Sequence, residues 1–327
     1  MRARTLAETI PGRESQPRVV GRLAPSPTGE LHLGHAFAFC LAWWSARSQQ
    51  GNVVLRFDDL DVDRAHSQFI DGAVRDLTWL GLDWDGPIVL ESSRREELVA
   101  QAESLEARGL AYACVCTRGE LARMQHGAPQ AGQDEILYKG QCRGRYRDRA
   151  DAKKKTGLDA QLRFLVDDGE VIFEDKLFGV QRVNVAEAVG DFPILRKNSA
   201  PAYQLAVVCD DALDQVTEVV RGRDLLPSTA RQRLLQHSLG FSYPSTLHVP
   251  LVVDQEGRRL AKRDQARSLS NLREHGTDPR QIVAWVSKLS GQELSGSLAS
   301  AHELLASFDP RRLATKDISG PTEFEGA

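Results

Sequence analysis

Strand-like and helix-like segments alternate regularly at the start of this chain, stop near residue 110 and resume near residue 191. This interrupted alternation limits the possible fold more than any other feature. Arg18–Ala24 (RVVGRLA) predicts a strand running into the turn residues Pro25, Ser26, Pro27 and Gly29. A helix is expected from about His32 to Gln50, closed by Gly51 at the left-handed position that ends helices. Val53–Phe57 predicts a second buried strand. Phe69, Ile70, Ala73, Val74, Leu77 and Leu80 recur at helical spacing up to Gly81. Ser93 and Glu96 form a capping-box pattern before a further helix that stops at Gly109. Strands alternating with helices predict an α/β fold with a parallel sheet.

The interruption, residues 111–190, reads as an inserted domain. It holds three cysteines, a Gly/Gln-rich stretch (HGAPQAGQDE) and a basic island, and Leu162–Val166 and Val171–Phe173 predict a hairpin across Asp167-Asp168-Gly169. The pattern resumes with Gln204–Cys209, Val216–Val220, a helix from Ser228 to Leu239, and Val249–Val253. Short helices carrying Ala284, Trp285, Leu289, Leu304 and Leu305 follow. The plan is a flexible leader (1–17), a core split into 18–110 and 191–265, a helical subdomain (266–312) and a loose tail (313–327). At roughly 150 residues per domain, 327 residues fit about two domains.

Charge bounds the class of partner. The net of −3 excludes a generally basic nucleic-acid coat. Yet Lys139–Lys155 carries +6 and Glu256–Arg273 carries +4, leaving −13 for the rest, so anion contacts are expected at two local sites. The longest apolar run, Ala36–Trp44, is far short of the roughly 20 residues that span a bilayer. With no apolar signal segment at the N-terminus, the expectation is a soluble cytoplasmic protein that touches no membrane.

Three constellations carry chemistry. In the first, Arg22-Leu-Ala-Pro-Ser-Pro-Thr-Gly-Glu-Leu-His32-Leu-Gly34-His35 takes a strand through a turn into a helix start. Histidines three apart share a helix face, and a helix N-terminus offers free N–H groups and partial positive charge to a phosphate. Gly34 between them lets a ligand approach the backbone. In the second, the cluster Arg258-Arg-Leu-Ala-Lys262-Arg263 follows a strand and a turn. Folded over the histidine helix, Lys262 would neutralise charge developing on a transferring phosphate. The third is Cys114-x-Cys116 followed by Tyr138-x3-Cys142. Three thiolates suit zinc, and a structural site wants a fourth ligand. His126 and Tyr138 are the candidates, with His126 the better ligand on chemical grounds; Cys40 and Cys209 sit in apolar runs and read as buried thiols.

With these motifs in view, the chain resembles the glutamyl branch of the class I aminoacyl-tRNA synthetases. His32-Leu-Gly-His35 is similar to the HIGH signature, and Arg259-Leu-Ala-Lys262-Arg263 to the KMSKS loop. RFDDLD at 56–61, WLGLDWDGP at 79–87, VGDFPILR at 189–196, YQLAVVCDD at 203–211 and TEVVRGRDLLPSTARQ at 217–232 extend the likeness over about 18–310. Within that branch it is most similar to the short paralogues that act on queuosine of tRNA(Asp). Full-length glutamyl enzymes usually read HVGG and continue into an anticodon-binding domain, whereas here about 64 residues follow Arg263.

The resemblance implies a Rossmann-type catalytic core with an inserted zinc-binding domain. It implies glutamate binding by Arg22, Leu23, Ala24, Pro25, Ser26, Asp58, Tyr203 and Arg221, and ATP binding by His32, Gly34, His35 and Lys262, with Mg²⁺ on the phosphates. It assigns zinc to Cys114, Cys116, Tyr138 and Cys142, because the family's Y-x-G-x-C pattern matches YKGQC at 138–142. His32, His35 and Lys262 would then be the catalytic side chains of a monomer, and the acceptor would lie in the anticodon stem-loop of tRNA(Asp). Two positions depart from the family. Asp58 replaces Glu and is one methylene short, so its reach calls for a water; Ala261 replaces the KMSKS serine. Two rival readings are a truncated glutamyl-tRNA synthetase charging tRNA(Glu) and a catalytically inactive zinc-containing RNA-binding protein.

Overall fold

A computed structural model describes residues 6–7, 18–124, 137–254, 257, 268–293 and 296–320. Its centre is built from two parallel ladders. One joins β2 (Val20–Leu23), β3 (Asn52–Phe57) and β4 (Val89–Leu90). The other runs β1 (Leu6–Ala7), β7 (Glu170–Asp175), β11 (Ser245–Val249) and β10 (Glu218–Gly222). They meet where Thr217 N donates to Val20 O at 2.9 Å and Val20 N donates to Thr217 Oγ1 at 2.9 Å. Strand order therefore reverses between β2 and β10, and a crevice opens at the carboxyl ends of those strands. Open parallel sheets bind ligands at such a switch point.

Helix α1 (Leu33–Ser48) covers this junction, touching β2, β3 and β10. Phe37, Leu41, Trp43 and Trp44 on it are buried. Burying each such side chain stabilises the fold by about 1.5–3 kcal/mol, so this helix is a main anchor of the core. Trp44 Nε1 donates to Ala301 O at 2.8 Å, and α10 (Pro279–Leu289) packs on α1, which ties the C-terminal segment to the first half of the sheet. A second core lies under α3 (Arg95–Ala107), α7 (Tyr203–Leu213) and α8 (Leu226–Leu239). It leans on an antiparallel sheet of β5 (Ala111–Cys114), β6 (Gln161–Phe164) and β9 (Pro193–Leu195). Helix α2 (Ser67–Trp79) packs on α9 (Leu269–Glu274), while α4 (Arg118–Met124) follows β5. Helix α5 (Arg149–Thr156) packs on β5, and α6 (Val185–Ala188) follows β8 (Gly179–Asn184).

Several local expectations need correcting. The left-handed residue after α1 is Gln50 (φ 55°), not Gly51. Gly51 is required for space instead, since a Cβ there would lie 2.6 Å from Val19 O. Ser93 does not cap a helix: its hydroxyl donates to Leu90 O, and a 3-10 turn over Glu91–Arg94 leads into α3 without a side-chain cap. The hairpin across Asp167–Gly169 does not form. That turn joins β6 of the antiparallel sheet to β7 of the central ladder, and β7 takes β8 as its hairpin partner. Alternation inside β7 marks which residues are buried, but no local pattern names the strand it pairs with. Part of the 111–190 segment is thus bonded to the central sheet. The apolar run Gln204–Cys209 lies inside α7. The beginning of the supposed loose tail is ordered: β13 (Ile318–Ser319) pairs with β12 (Val252–Val253), and Asp317 bridges Arg223 at 2.6 Å. No helix among the described residues is long and apolar enough to cross a membrane.

Candidate active site and metal centre

The crevice between β2 and β10 is a cavity of about 490 Å³. Arg22, Ala24, Pro25, Ser26, His32, Gly34, His35, Asp58, Tyr203 and Arg221 all line it. Of the residues picked out from sequence, Leu23 is instead fully buried in the core, and Lys262 lies outside the described residues with the rest of the second basic cluster.

The two histidines cap α1. His32 precedes the helix, and its Nδ1 accepts from Gly34 N at 3.1 Å; His35 Nδ1 accepts from His32 N at 3.1 Å. Both Nδ1 atoms are acceptors, which leaves each Nε2 to carry the ring proton. The rings lie 3.9 Å apart, and His35 also stacks on Phe39. Gly34 serves this cap directly, because a Cβ there would sit 3.0 Å from His32 Cε1. Its bareness makes room for the folded-back imidazole, a reason distinct from the ligand approach expected from sequence.

The cavity wall carries charges of both signs. Arg22 Nη1 donates to Val220 O at 3.1 Å, and its Nε lies 3.6 Å from Asp211 Oδ1. Beside it Arg221 donates from Nε to His248 Nε2 at 3.0 Å and from Nη2 to Gln232 Oε1 at 2.8 Å. Arg22 Nε and Arg221 Nη1 are buried with no hydrogen-bond partner among the described residues. Burial holds the Arg221 guanidinium below its usual value and the like charge of Arg22 adds to it, while Tyr203, by charge and hydrogen bonding, and Asp211 pull the other way. Two guanidiniums lining one cavity make a site for an anion, and the planar forks suit a carboxylate.

Asp58 lines the same cavity. Its Oδ1 has no hydrogen-bond partner among the described residues, although Arg56 Nε lies 3.7 Å away. Burial pushes its carboxyl up to about 6, against the pull of Arg56 and Arg22. Behind it Arg56, fully buried, forks between Asp211 Oδ1 (2.9 Å) and Asp214 Oδ2 (2.8 Å), and Arg94 bridges Asp210 and Asp214. Beside this network, burial raises the Glu91 carboxyl to about 10, reinforced by Asp58 and Asp210. Sequence reasoning missed this support. The signal for it was Asp210-Asp211 inside an otherwise apolar helix, since buried carboxylates need cations.

A second cavity of about 640 Å³ lies beyond Tyr203, which lines both. Arg163, Arg196, Lys197 and Arg231 bring positive charge to its wall, and Cys116 stands at its edge.

Cys114, Cys116 and Cys142 place their sulfurs within 4.8 Å of one another. Cys116 Sγ and Cys142 Sγ are 3.5 Å apart, and Tyr138 Oη lies 3.2 Å from Cys114 Sγ. Sulfurs about 2.3 Å from a tetrahedral zinc would be about 3.8 Å apart, so the cluster fits that ion with Tyr138 beside it. Hydrogen bonding with Cys142, then Tyr138, holds the Cys114 thiol down to about 4 against burial, with the Arg163 cation adding to the effect. Arg163 also stacks on the Tyr138 ring, 3.9 Å from its centroid. The alternative ligand His126 lies outside the described residues. In the basic island beyond, Arg143, Arg147, Lys153 and Lys155 pair with nearby carboxylates, while Lys139, Arg145 and Lys154 are exposed.

Comparison with known proteins gives the family of the chain. Residues 18–318 match the family model of tRNA synthetases class I (E and Q), catalytic domain. A glutamyl-Q tRNA(Asp) synthetase of Nitratidesulfovibrio vulgaris is 44% identical over 280 residues, covering 83% of this chain and 86% of that protein. Another, from Symbiobacterium thermophilum, is 41% identical over 314 residues, covering 93% and 96%. A crystal structure of a glutamate tRNA ligase from Elizabethkingia meningosepticum in complex with its amino acid has the same fold. Its TM-score is 0.78 at 24% identity, over 94% of this chain and 68% of that one. The chain belongs to the class I (E and Q) tRNA synthetase family and, within it, to the group of the glutamyl-Q tRNA(Asp) synthetases.

Proposed function

We propose that this enzyme activates L-glutamate with ATP and transfers the glutamyl group to queuosine in the anticodon stem-loop of tRNA(Asp). The observation that carries the reading is that Arg22, Arg221 and Asp58 line one cavity: the two guanidiniums suit a carboxylate of the substrate, and the Asp58 carboxylate suits its ammonium. Glutamate has both groups. Glutamine would turn amide N–H donors against the guanidinium donors, so the same pair rejects it.

In the first step an α-carboxylate oxygen of glutamate attacks the α-phosphorus of ATP. The bond from that phosphorus to the bridging oxygen breaks, and pyrophosphate leaves. His32, His35 and the N-terminus of α1 stabilise the phosphate charge and Lys262 adds a cation, while a Mg²⁺ ion bound with ATP would neutralise further phosphate charge. In the second step a hydroxyl of the queuosine cyclopentenediol attacks the activated carbonyl, and AMP leaves. The basic cavity beyond Tyr203 fits the incoming nucleoside, and exposed Lys139, Arg145 and Lys154 suit the backbone of a short stem-loop. Zinc held by Cys114, Cys116, Tyr138 and Cys142 would fix the segment that carries this basic surface.

The test is transfer of labelled glutamate to tRNA(Asp) with and without queuosine. Transfer only to the queuosine-containing form, indifferent to removal of the 3′-CCA end, is expected. Charging of tRNA(Glu) alone, abolished by loss of its CCA end, would establish the truncated glutamyl-tRNA synthetase reading instead. Failure of folded, zinc-loaded protein to use glutamate at all would favour an inactive RNA-binding protein.

Asp58 adds a pH signature. Only its charged form attracts the substrate ammonium, and its carboxyl titrates near 6. The glutamate KM is therefore expected to rise as pH falls through that region, by up to about tenfold per unit. Asp58→Asn should raise the KM at neutral pH and flatten the profile. An unchanged profile in that variant would remove Asp58 from the ammonium site.

A further inference from the structure

We propose that Asp175 and His248 form a buried relay that aims Arg221 at the substrate's side-chain carboxylate; the inference rests on the glutamate reading of the cavity. Asp175 ends β7, His248 lies on β11, and Arg221 lies on β10 in register with His248. The Asp175 and His248 side chains are fully buried. His248 Nδ1 lies 2.6 Å from Asp175 Oδ2, and His248 Nε2 lies 3.0 Å from Arg221 Nε. A guanidinium only donates, so Nε2 must accept and the imidazole proton must sit on Nδ1, donated to Asp175.

Asp175 is itself held in place. Its Oδ1 accepts from Leu177 N at 3.1 Å and Phe178 N at 3.0 Å, and its Oδ2 from His248 N at 3.1 Å. At the far end, Arg221 Nη2 donates to Thr229 Oγ1 at 2.9 Å and Gln232 Oε1 at 2.8 Å, both on α8. The guanidinium is planar. Fixing Nε and Nη2 therefore fixes the direction of Nη1 and of the guanidinium edge that, beside Tyr203, lines the cavity. The groups facing the imidazole are Asp175 from β7, Arg221 from β10, Arg22 from β2 and the Thr229 hydroxyl of α8 at 3.4 Å. Burial and the two guanidiniums hold His248 below the usual imidazole value despite Asp175, which keeps it neutral and able to accept. Anchoring the turn after β7 needs only the backbone contacts of Asp175. It gives no reason for the second imidazole nitrogen to be spent on Arg221.

The test compares transfer kinetics of His248→Leu, His248→Gln and Arg221→Leu, with glutamate and ATP varied separately, melting curves, and ¹⁵N spectra of the native imidazole. His248→Leu is expected to raise the glutamate KM about tenfold and weaken rejection of glutamine, with kcat and the ATP KM within about twofold. His248→Gln places a carbonyl near the Nε2 position and should recover most of the loss. The spectra should show the Nδ1-protonated tautomer. An unchanged glutamate KM in His248→Leu beside a raised one in Arg221→Leu would overturn the relay, as would an Nε2-protonated imidazole. An unchanged KM in Arg221→Leu would instead overturn the glutamate reading beneath it. Should His248→Leu not fold, His248→Gln decides: a near-native KM supports the relay, and a tenfold rise refutes it.

Discussion

Arg221→Leu is expected to lower kcat/KM for glutamate by about 100-fold or more, about 3 kcal/mol, while leaving the melting temperature nearly unchanged. The activity loss follows from removing a charge-assisted donor that lines the cavity. Most of it should fall on the glutamate KM, since the interaction is with a part of the substrate remote from the reacting carboxylate. Stability should hold for a different reason. Burial and the neighbouring Arg22 disfavour this cation in the free protein more than Tyr203 and Asp211 favour it, so losing it relieves strain even as His248, Thr229 and Gln232 lose a donor. Such a residue is retained for its ligand rather than for the fold. A large fall in melting temperature with unaltered glutamate kinetics would refute this account.

Arg56→Leu should behave in the opposite way, destabilising the protein by about 3–5 kcal/mol in denaturant unfolding. Arg56 is fully buried, and its pairing with Asp211, Asp58 and Asp214 keeps it protonated far above the usual range despite burial. Removing it strands buried carboxylates that cannot all find other partners. With total stability commonly about 5–15 kcal/mol, that is a large share. Activity should fall as well, because Asp58 would lose a nearby cation and its carboxyl would rise above about 6, into the neutral range where it must stay charged. Combining Arg56→Leu with Asp214→Leu should cost less than the sum of the two single changes, since each removes the other's burden. Additive losses would show that the pair does not interact.

These two arginines also show what is legible in a sequence. Arg221 was found because it stands in a recognisable run, VVRGRDLLPS, and the histidine cap because His32, Gly34 and His35 are neighbours in the chain. The cysteine cluster was legible for the same reason, with its spacing already matching a metal site. Arg56 and His248 were not singled out. Their partners are remote, 155 residues away for Asp211 and 73 for Asp175, so no local window holds both ends of either contact. The hairpin misplaced across Asp167–Gly169 failed likewise: strand propensity marked β6 and β7, but their pairing partners are chosen by the sheet as a whole.

The sequence by itself determined the α/β class, the helix start with its paired histidines, the three thiols and the residues of the cavity rim. The first three depend on turn chemistry, apolar periodicity and short spacings, which act over a few residues; the rim residues were named by the resemblance to a family. Only the tertiary structure decided that β2 and β10 lie side by side, and with them Arg22 and Arg221. It likewise set Asp58 against a buried ion-pair network, and gave Arg221 a neutral imidazole to lean on. The physical reason is that a charge is tuned by what surrounds it in space. Burial and counter-ions are supplied by elements far apart in the chain, and they exist only once the sheet has closed around them.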